Sequence, residues 1–187
     1  MKKILNNKGY TLVELLAVIV IMITVGTVIM SILVSALRGG NKSQTTNQVR
    51  ESGNYVISQM SKMITFAKHL DGLSTDNIKY DSNCVLKVVS PAPTPIPYQY
   101  IKFTAFDGGQ TTFSCSGGNI ASNTAALIDT STLVVTNCTF ICTQPSISIP
   151  PTIDISFTLN EKINSSFSEK KASIPFETSI TIRNAGN

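Results

Sequence analysis

One stretch limits what this chain can fold into more than any other. From Leu12 to Leu37 it is apolar but for a few small polar residues, and Glu14 is the only charge in the run. At about 1.5 Å of rise per residue, a helix over that run is longer than the ~30 Å hydrocarbon core of a bilayer. Lys2, Lys3 and Lys8 precede it. Positive-inside bias then keeps the N-terminus in the cytoplasm and places everything after the run outside it. A secretory signal peptide fits poorly, because its apolar region should span only about 7 to 15 residues and close on a small-residue A-x-A cleavage site. This run is far longer, and no such site follows it.

Glu14 needs a separate account. A carboxylate inside lipid costs at least ~2.5 to 3.5 kcal/mol, so it calls for a partner. If the chain is cut between Gly9 and Tyr10, the new amine of Tyr10 lies one helical turn from Glu14, at the positive end of the helix dipole. The pair can close within one chain, or between neighbouring helices in the apolar core of an assembly. A plain, unprocessed membrane anchor explains the topology but gives Glu14 no role.

Basic residues, Gly9, an aromatic Tyr10, then Thr11-Leu12-Val13-Glu14-Leu15-Leu16 and a long apolar run resemble the class III signal of type IV prepilins and of the pseudopilins of type II secretion and competence systems. In that family a membrane aspartyl peptidase cuts after the glycine and methylates the new amine, and the glutamate five residues into the mature chain guides subunit assembly. By position, the resemblance makes Gly9 the cleavage residue, Tyr10 the methylated first residue and Glu14 the assembly carboxylate. Tyr10 stands where phenylalanine is commonest, and the aromatic ring is kept. The implied fold class is α+β and pilin-like. A long N-terminal helix, membrane-spanning in its first half and amphipathic in its second, packs on an antiparallel β-sheet.

The expected divisions are a leader over 1–9, a transmembrane and assembly half-helix over 10–38, an amphipathic half-helix over 39–70 and an extracytoplasmic β domain over 71–187. The implied partners are other pilin or pseudopilin subunits, the prepilin peptidase and the cytoplasmic membrane. The implied location is that membrane before assembly, then a pilus or pseudopilus in the envelope or at the cell surface. A cysteine-bearing, Thr-rich sheet and the ending Thr178-Ser179-Ile180-Thr181-Ile182-Arg183-Asn184 look like a minor, J-like member. The resemblance does not choose between pilus and pseudopilus, or between a major and a minor subunit.

Charge and cysteine usage bound the exported part. The net charge is +4, and removing Lys2, Lys3 and Lys8 with the leader leaves +1. Composition therefore implies no basic face, and nucleic acid is not an expected partner. Cys84, Cys115, Cys138 and Cys142 all follow the anchor, on the oxidising side, where disulfides are expected. Four cysteines allow three connectivities, of which Cys84 with Cys115 and Cys138 with Cys142 is preferred. A metal site is disfavoured, because no paired C-x-x-C occurs and the single histidine, His69, lies on a different segment.

Between Asn41 and Leu70 the apolar residues Val49, Val56, Ile57, Met60, Met63, Ile64 and Ala67 recur at helical spacing. Gln44, Gln48, Arg50, Glu51, Gln59, Lys62 and Lys68 fill most of the remainder, so one stripe should pack on a core. Anchor and amphipathic segment are expected to join in one helix. Gly39-Gly40 and Gly53 weaken it, and a bend is expected near Gly39.

Asp71-Gly72 reads as the end of that helix, and a β domain follows. Cys84–Val89 is a strand candidate before the stiff loop of Pro91, Pro93, Pro95 and Pro97. Tyr98–Phe106 and Gln110–Cys115 flank Asp107-Gly108-Gly109 as a hairpin, and Ser116-Gly117-Gly118-Asn119 turns the chain again. Thr132–Ile141 reads as a strand pair or a bent strand. Ile153, Ile155, Phe157 and Leu159 alternate with polar neighbours, as do Phe176, Thr178, Ile180 and Ile182. The segment from Asn160 to Ser173, with Lys162, Glu169, Lys170 and Lys171, reads as a solvated excursion.

Catalytic chemistry has little to stand on. There is one histidine and no tryptophan, and no G-x-S-x-G, phosphate loop or H-E-x-x-H occurs. His69 reads as a surface residue at the helix end beside Asp71. Asp71, Asp76 and Asp81 match no compact calcium cage and read as turn residues. Tyr98 and Tyr100 read as part of a covered sheet face rather than a sticky or base-stacking stripe. The expected function is therefore structural rather than enzymatic, with no cofactor. The alternative is an unprocessed single-pass membrane protein with an extracytoplasmic binding or adhesion domain.

Overall fold

The computed structural model describes residues 9–84, 96–146, 148–162 and 172–183. Among these residues there is one long α-helix, α1 (Leu12–Thr65), followed by eight strands in two antiparallel sheets, an α+β arrangement. The chain divides into two compact units, residues 1–43 and residues 44–187.

The first unit holds the apolar part of α1. Every described side chain from Leu12 to Leu37 is exposed. Three hydroxyls within this segment turn inward on the helix: Thr24 Oγ1 donates to the Ile21 carbonyl at 2.9 Å, Thr27 Oγ1 to Thr24 at 2.8 Å and Ser31 Oγ to Val28 at 2.8 Å. A polar group satisfied by its own backbone is one an apolar environment tolerates.

The second unit is built on the last turns of α1, from Gln44 to Thr65. Val49, Val56, Met60 and Ile64 lie along one stripe and are almost completely buried, with Ile57 and Met63 packed beside them. The helix stops at Thr65, short of the expected Leu70. Ala67 is buried beyond its end, and Lys68 N donates to the Thr104 carbonyl at 2.8 Å. His69, Asp71 and Gly72 accordingly belong to strand β1 (His69–Ser74), not to a helix end. Ala67 continues the apolar spacing past Thr65 from the link between helix and strand.

β1 opens a five-stranded meander with β2 (Tyr100–Thr104), β3 (Gln110–Ser116), β4 (Asn119–Ser122) and β5 (Ala125–Ala126). Asp107-Gly108-Gly109 makes the β2–β3 hairpin: Thr104 faces Gln110, and Gly109 N donates to Asp107 Oδ1 at 2.9 Å. Gly117 and Gly118 turn β3 into β4 with φ of 61° and 74°, the left-handed pair that a two-residue hairpin requires. The second sheet is β6 (Leu133–Thr143), β7 (Thr152–Glu161) and β8 (Ser173–Thr181). β6 is the expected bent strand, bulged between Thr136 and Thr139, with Asn137 at φ 52°. The expected single sheet is thus two. The ladder breaks after β5, where Asp129 gathers the Ser131 amide and the Ser131 and Thr132 hydroxyls into a turn. Of the expected strand Cys84–Val89 only Cys84 is described, outside any strand, and the prolines 91 to 95 and most of the 160–173 excursion lie outside the described residues.

The cysteines pair as Cys84 with Cys142 and Cys115 with Cys138, not as Cys84 with Cys115 and Cys138 with Cys142. The physical reason is β6. Residues four apart along one strand lie about 13 Å apart, far beyond disulfide reach. Both bridges therefore converge on β6, and Cys115–Cys138 ties the first sheet to the second.

Gly53 is buried against β8. A Cβ placed there would sit 2.1 Å from Phe176 Cζ, and the same ring stacks on Phe157 with centroids 5.3 Å apart. Gly53→Ala should gain about 1 kcal/mol of helix propensity and lose about 1 to 3 kcal/mol to overpacking. We expect a net fall in thermal stability, read by circular dichroism; a stabilised variant would show that the ring yields without cost.

Candidate functional site

The helix start is where the expected site residues gather. Gly9 and Tyr10 are exposed and precede the helix, and Thr11 is its N-cap. Glu14 N donates to Thr11 Oγ1 at 3.3 Å, while Glu14 Oε2 accepts from Thr11 N and Thr11 Oγ1, each at 3.4 Å. This reciprocal pair is a capping box, which satisfies donors the first helical turn leaves open. Leu15 N then closes the first helical bond to the Thr11 carbonyl at 3.2 Å. Thr11 is the residue that sequence reasoning missed. Its signal was present in the Thr-x-x-Glu spacing that opens an apolar run.

From Leu15 to Leu37 the exposed surface of the helix is apolar but for a few hydroxyls. Leu15 to Leu37 carries no charge, and α1 is long and apolar enough to cross a membrane, with none of its most apolar window buried within the chain. Leu12 is 81% exposed and Met22 73%. The single carboxylate in the first turn also sits favourably at the positive end of the helix dipole.

Elsewhere the titratable groups are satisfied separately. His69 Nε2 lies 2.8 Å from Asp71 Oδ1, and Thr104 Oγ1 donates to Asp71 Oδ2 at 2.9 Å. The histidine is thus exposed on β1, with its acid turned toward a threonine. Asp76 gathers the Ile78 amide at 2.9 Å, the Lys79 amide at 3.0 Å and the Ser74 hydroxyl at 2.9 Å. These donors, the Ile78 amide first, hold its carboxyl well down, at about 2. Asp81 accepts from the Asn83 amide at 3.0 Å. The three aspartates serve different local structures, and among the described residues no group of three or more His, Cys, Asp or Glu side chains could hold a metal ion. Tyr98 bridges to Phe140 and packs on the core, whereas Tyr100 lies on β2 facing away from it.

Comparison of the chain with protein-family models, with curated proteins and with solved structures gives no match in any of the three. What stands is a chain with an apolar N-terminal helix followed by an antiparallel β-sheet domain. That arrangement is compatible with a membrane-anchored, pilin-like protein.

Proposed function

We propose that this protein is a structural subunit of a type IV pilus, or of a type II secretion or competence pseudopilus. In this proposal it is held in the cytoplasmic membrane, cut after Gly9 by a prepilin peptidase, methylated on Tyr10 and polymerised through its N-terminal helix, with no enzymatic role. One observation carries it: an apolar helix surface left wholly uncovered, whose only carboxylate lies in the first turn. Such a surface needs lipid before assembly and neighbouring helices after it. Both hydrogen bonds that Glu14 accepts use Oε2, so the carboxylate retains capacity for the amine of a second subunit.

The proposal predicts a mature N-terminus at Tyr10. Intact and N-terminal peptide mass spectrometry on protein from sheared filaments should find that start, with one added methyl. A Met1 start, or a cut elsewhere, would sink it.

The capping box favours one second reading, an unprocessed single-pass membrane protein with an extracytoplasmic binding domain. There Glu14 does no more than start the helix.

A further inference from the structure

The five-stranded sheet has a hollow on its outer face. Its shape follows from the register. Tyr100, Ser114 and Ala121 face one another across β2, β3 and β4, so a large ring gives way to a hydroxymethyl and then a methyl along one row. The surface steps down beside Tyr100. On one side lies the pair Lys102 and Thr112, on the other Ser116 and Asn119. The intervening residues Ile101, Phe113 and Ile120 are fully buried on the core side, as strand alternation requires. The hollow measures about 720 Å³.

Its rim is held in an unusual backbone. Asn77, Asn123 and Thr124 border it with φ of 62°, 47° and 77°. Thr124 is β-branched, the residue type least suited to that region. The turn is kept in place by Asn123 N on the Thr112 carbonyl at 2.9 Å and Thr112 N on Asn123 Oδ1 at 2.8 Å. Asn123 and Thr124 are the two-residue loop of the β4–β5 hairpin, where Ser122 faces Ala125, and a type I′ turn there takes this left-handed pair.

The chemistry of the lining selects a ligand class. Hydroxyls and amides dominate it, and Lys102 is the one charged side chain among the described lining residues. Its ammonium lies 4.4 Å from the centroid of the Tyr80 ring, and the residue is half-buried. An apolar ligand would leave these groups unpaired. A nucleic acid strand, with one phosphate per nucleotide, calls for several cations rather than one. We infer that the hollow binds an acidic saccharide, with a sugar ring against Tyr100, its hydroxyls on the Ser, Thr and Asn side chains, and its carboxylate on Lys102.

The test uses the full chain in zwitterionic, sugar-free micelles, titrated calorimetrically with tetragalacturonate, with maltotetraose and with a 15-nucleotide oligothymidylate. Tetragalacturonate should bind at least tenfold more tightly than maltotetraose. Lys102→Gln should remove that preference and Lys102→Arg should keep it. Ser114→Tyr, which fills the step beside Tyr100, should abolish binding while the variant's melting curve shows the domain still folded. The inference is overturned if tetragalacturonate does not bind at millimolar concentration, or if its binding survives both Lys102→Gln and Ser114→Tyr. Tighter binding of the oligothymidylate, lost in the same two variants, would overturn it in favour of a nucleic acid site.

Discussion

Glu14→Leu is expected to insert into the membrane and to be cut after Gly9, yet to enter filaments poorly when it is the only copy of the subunit. In the proposed assembly Glu14 meets the methylated amine of Tyr10 on a neighbour. Its loss leaves that amine buried without a counter-charge, and breaking a buried pair this way costs about 3 to 5 kcal/mol. For a plain anchor the sign reverses, because removing a carboxylate from lipid should ease insertion by about 2.5 to 3.5 kcal/mol. The capping box supplies a control. Glutamine also completes a Thr-x-x-Glu/Gln box, so Glu14→Gln keeps the helix start seen here and removes only the charge. If charge pairing drives assembly, both variants fail, and the yield of sheared filament against membrane-retained protein falls by two orders of magnitude or more. Failure of Glu14→Leu with normal assembly of Glu14→Gln would assign Glu14 to capping instead. Normal assembly of both would refute any assembly role.

The second large effect is expected from Cys84→Ser/Cys142→Ser. That bridge spans 58 residues, against 23 for Cys115–Cys138. In the chain-entropy account a loop of the longer size is worth about 4 kcal/mol and one of the shorter about 3 kcal/mol. For a domain of this size the larger loss lowers the unfolding midpoint on the order of 10 °C. Thermal unfolding of the extracted protein, with and without reductant, measures it. The doubly substituted protein should lose more than the Cys115→Ser/Cys138→Ser variant, and reductant should bring the parent below both. A parent protein indifferent to reductant would remove the claim that the bridges stabilise the domain.

Much of this architecture was legible from periodicity. The buried stripe of Val49, Val56, Met60 and Ile64 was readable because a helix repeats its face every three or four residues. The inward rows of β7 and β8 were readable because strands alternate. The hairpin at Asp107-Gly108-Gly109 and the turn at Gly117-Gly118 were local chemistry, dictated by which residues tolerate left-handed backbone. The helix end was not legible. Ala67 continues the apolar spacing past Thr65, and spacing alone does not distinguish one more helical turn from a link that buries the same side. At the N-terminus, Thr11 and Glu14 were both in view, but the cost of a carboxylate in lipid drew attention to a distant partner and away from the amide three residues back.

The sequence by itself determined the α+β class, the uncharged span from Leu15 to Leu37, and the position of one carboxylate at its start. These depend on local composition and on the repeat lengths of helix and strand. Only the tertiary structure decided that the strands form two sheets rather than one, that Cys84 pairs with Cys142 and Cys115 with Cys138, that Gly53 makes room for Phe176, and that Asn123 borders the same hollow as Tyr100. Each of these joins residues distant in the chain, and their proximity is set by how strands register and pack, which no local pattern records.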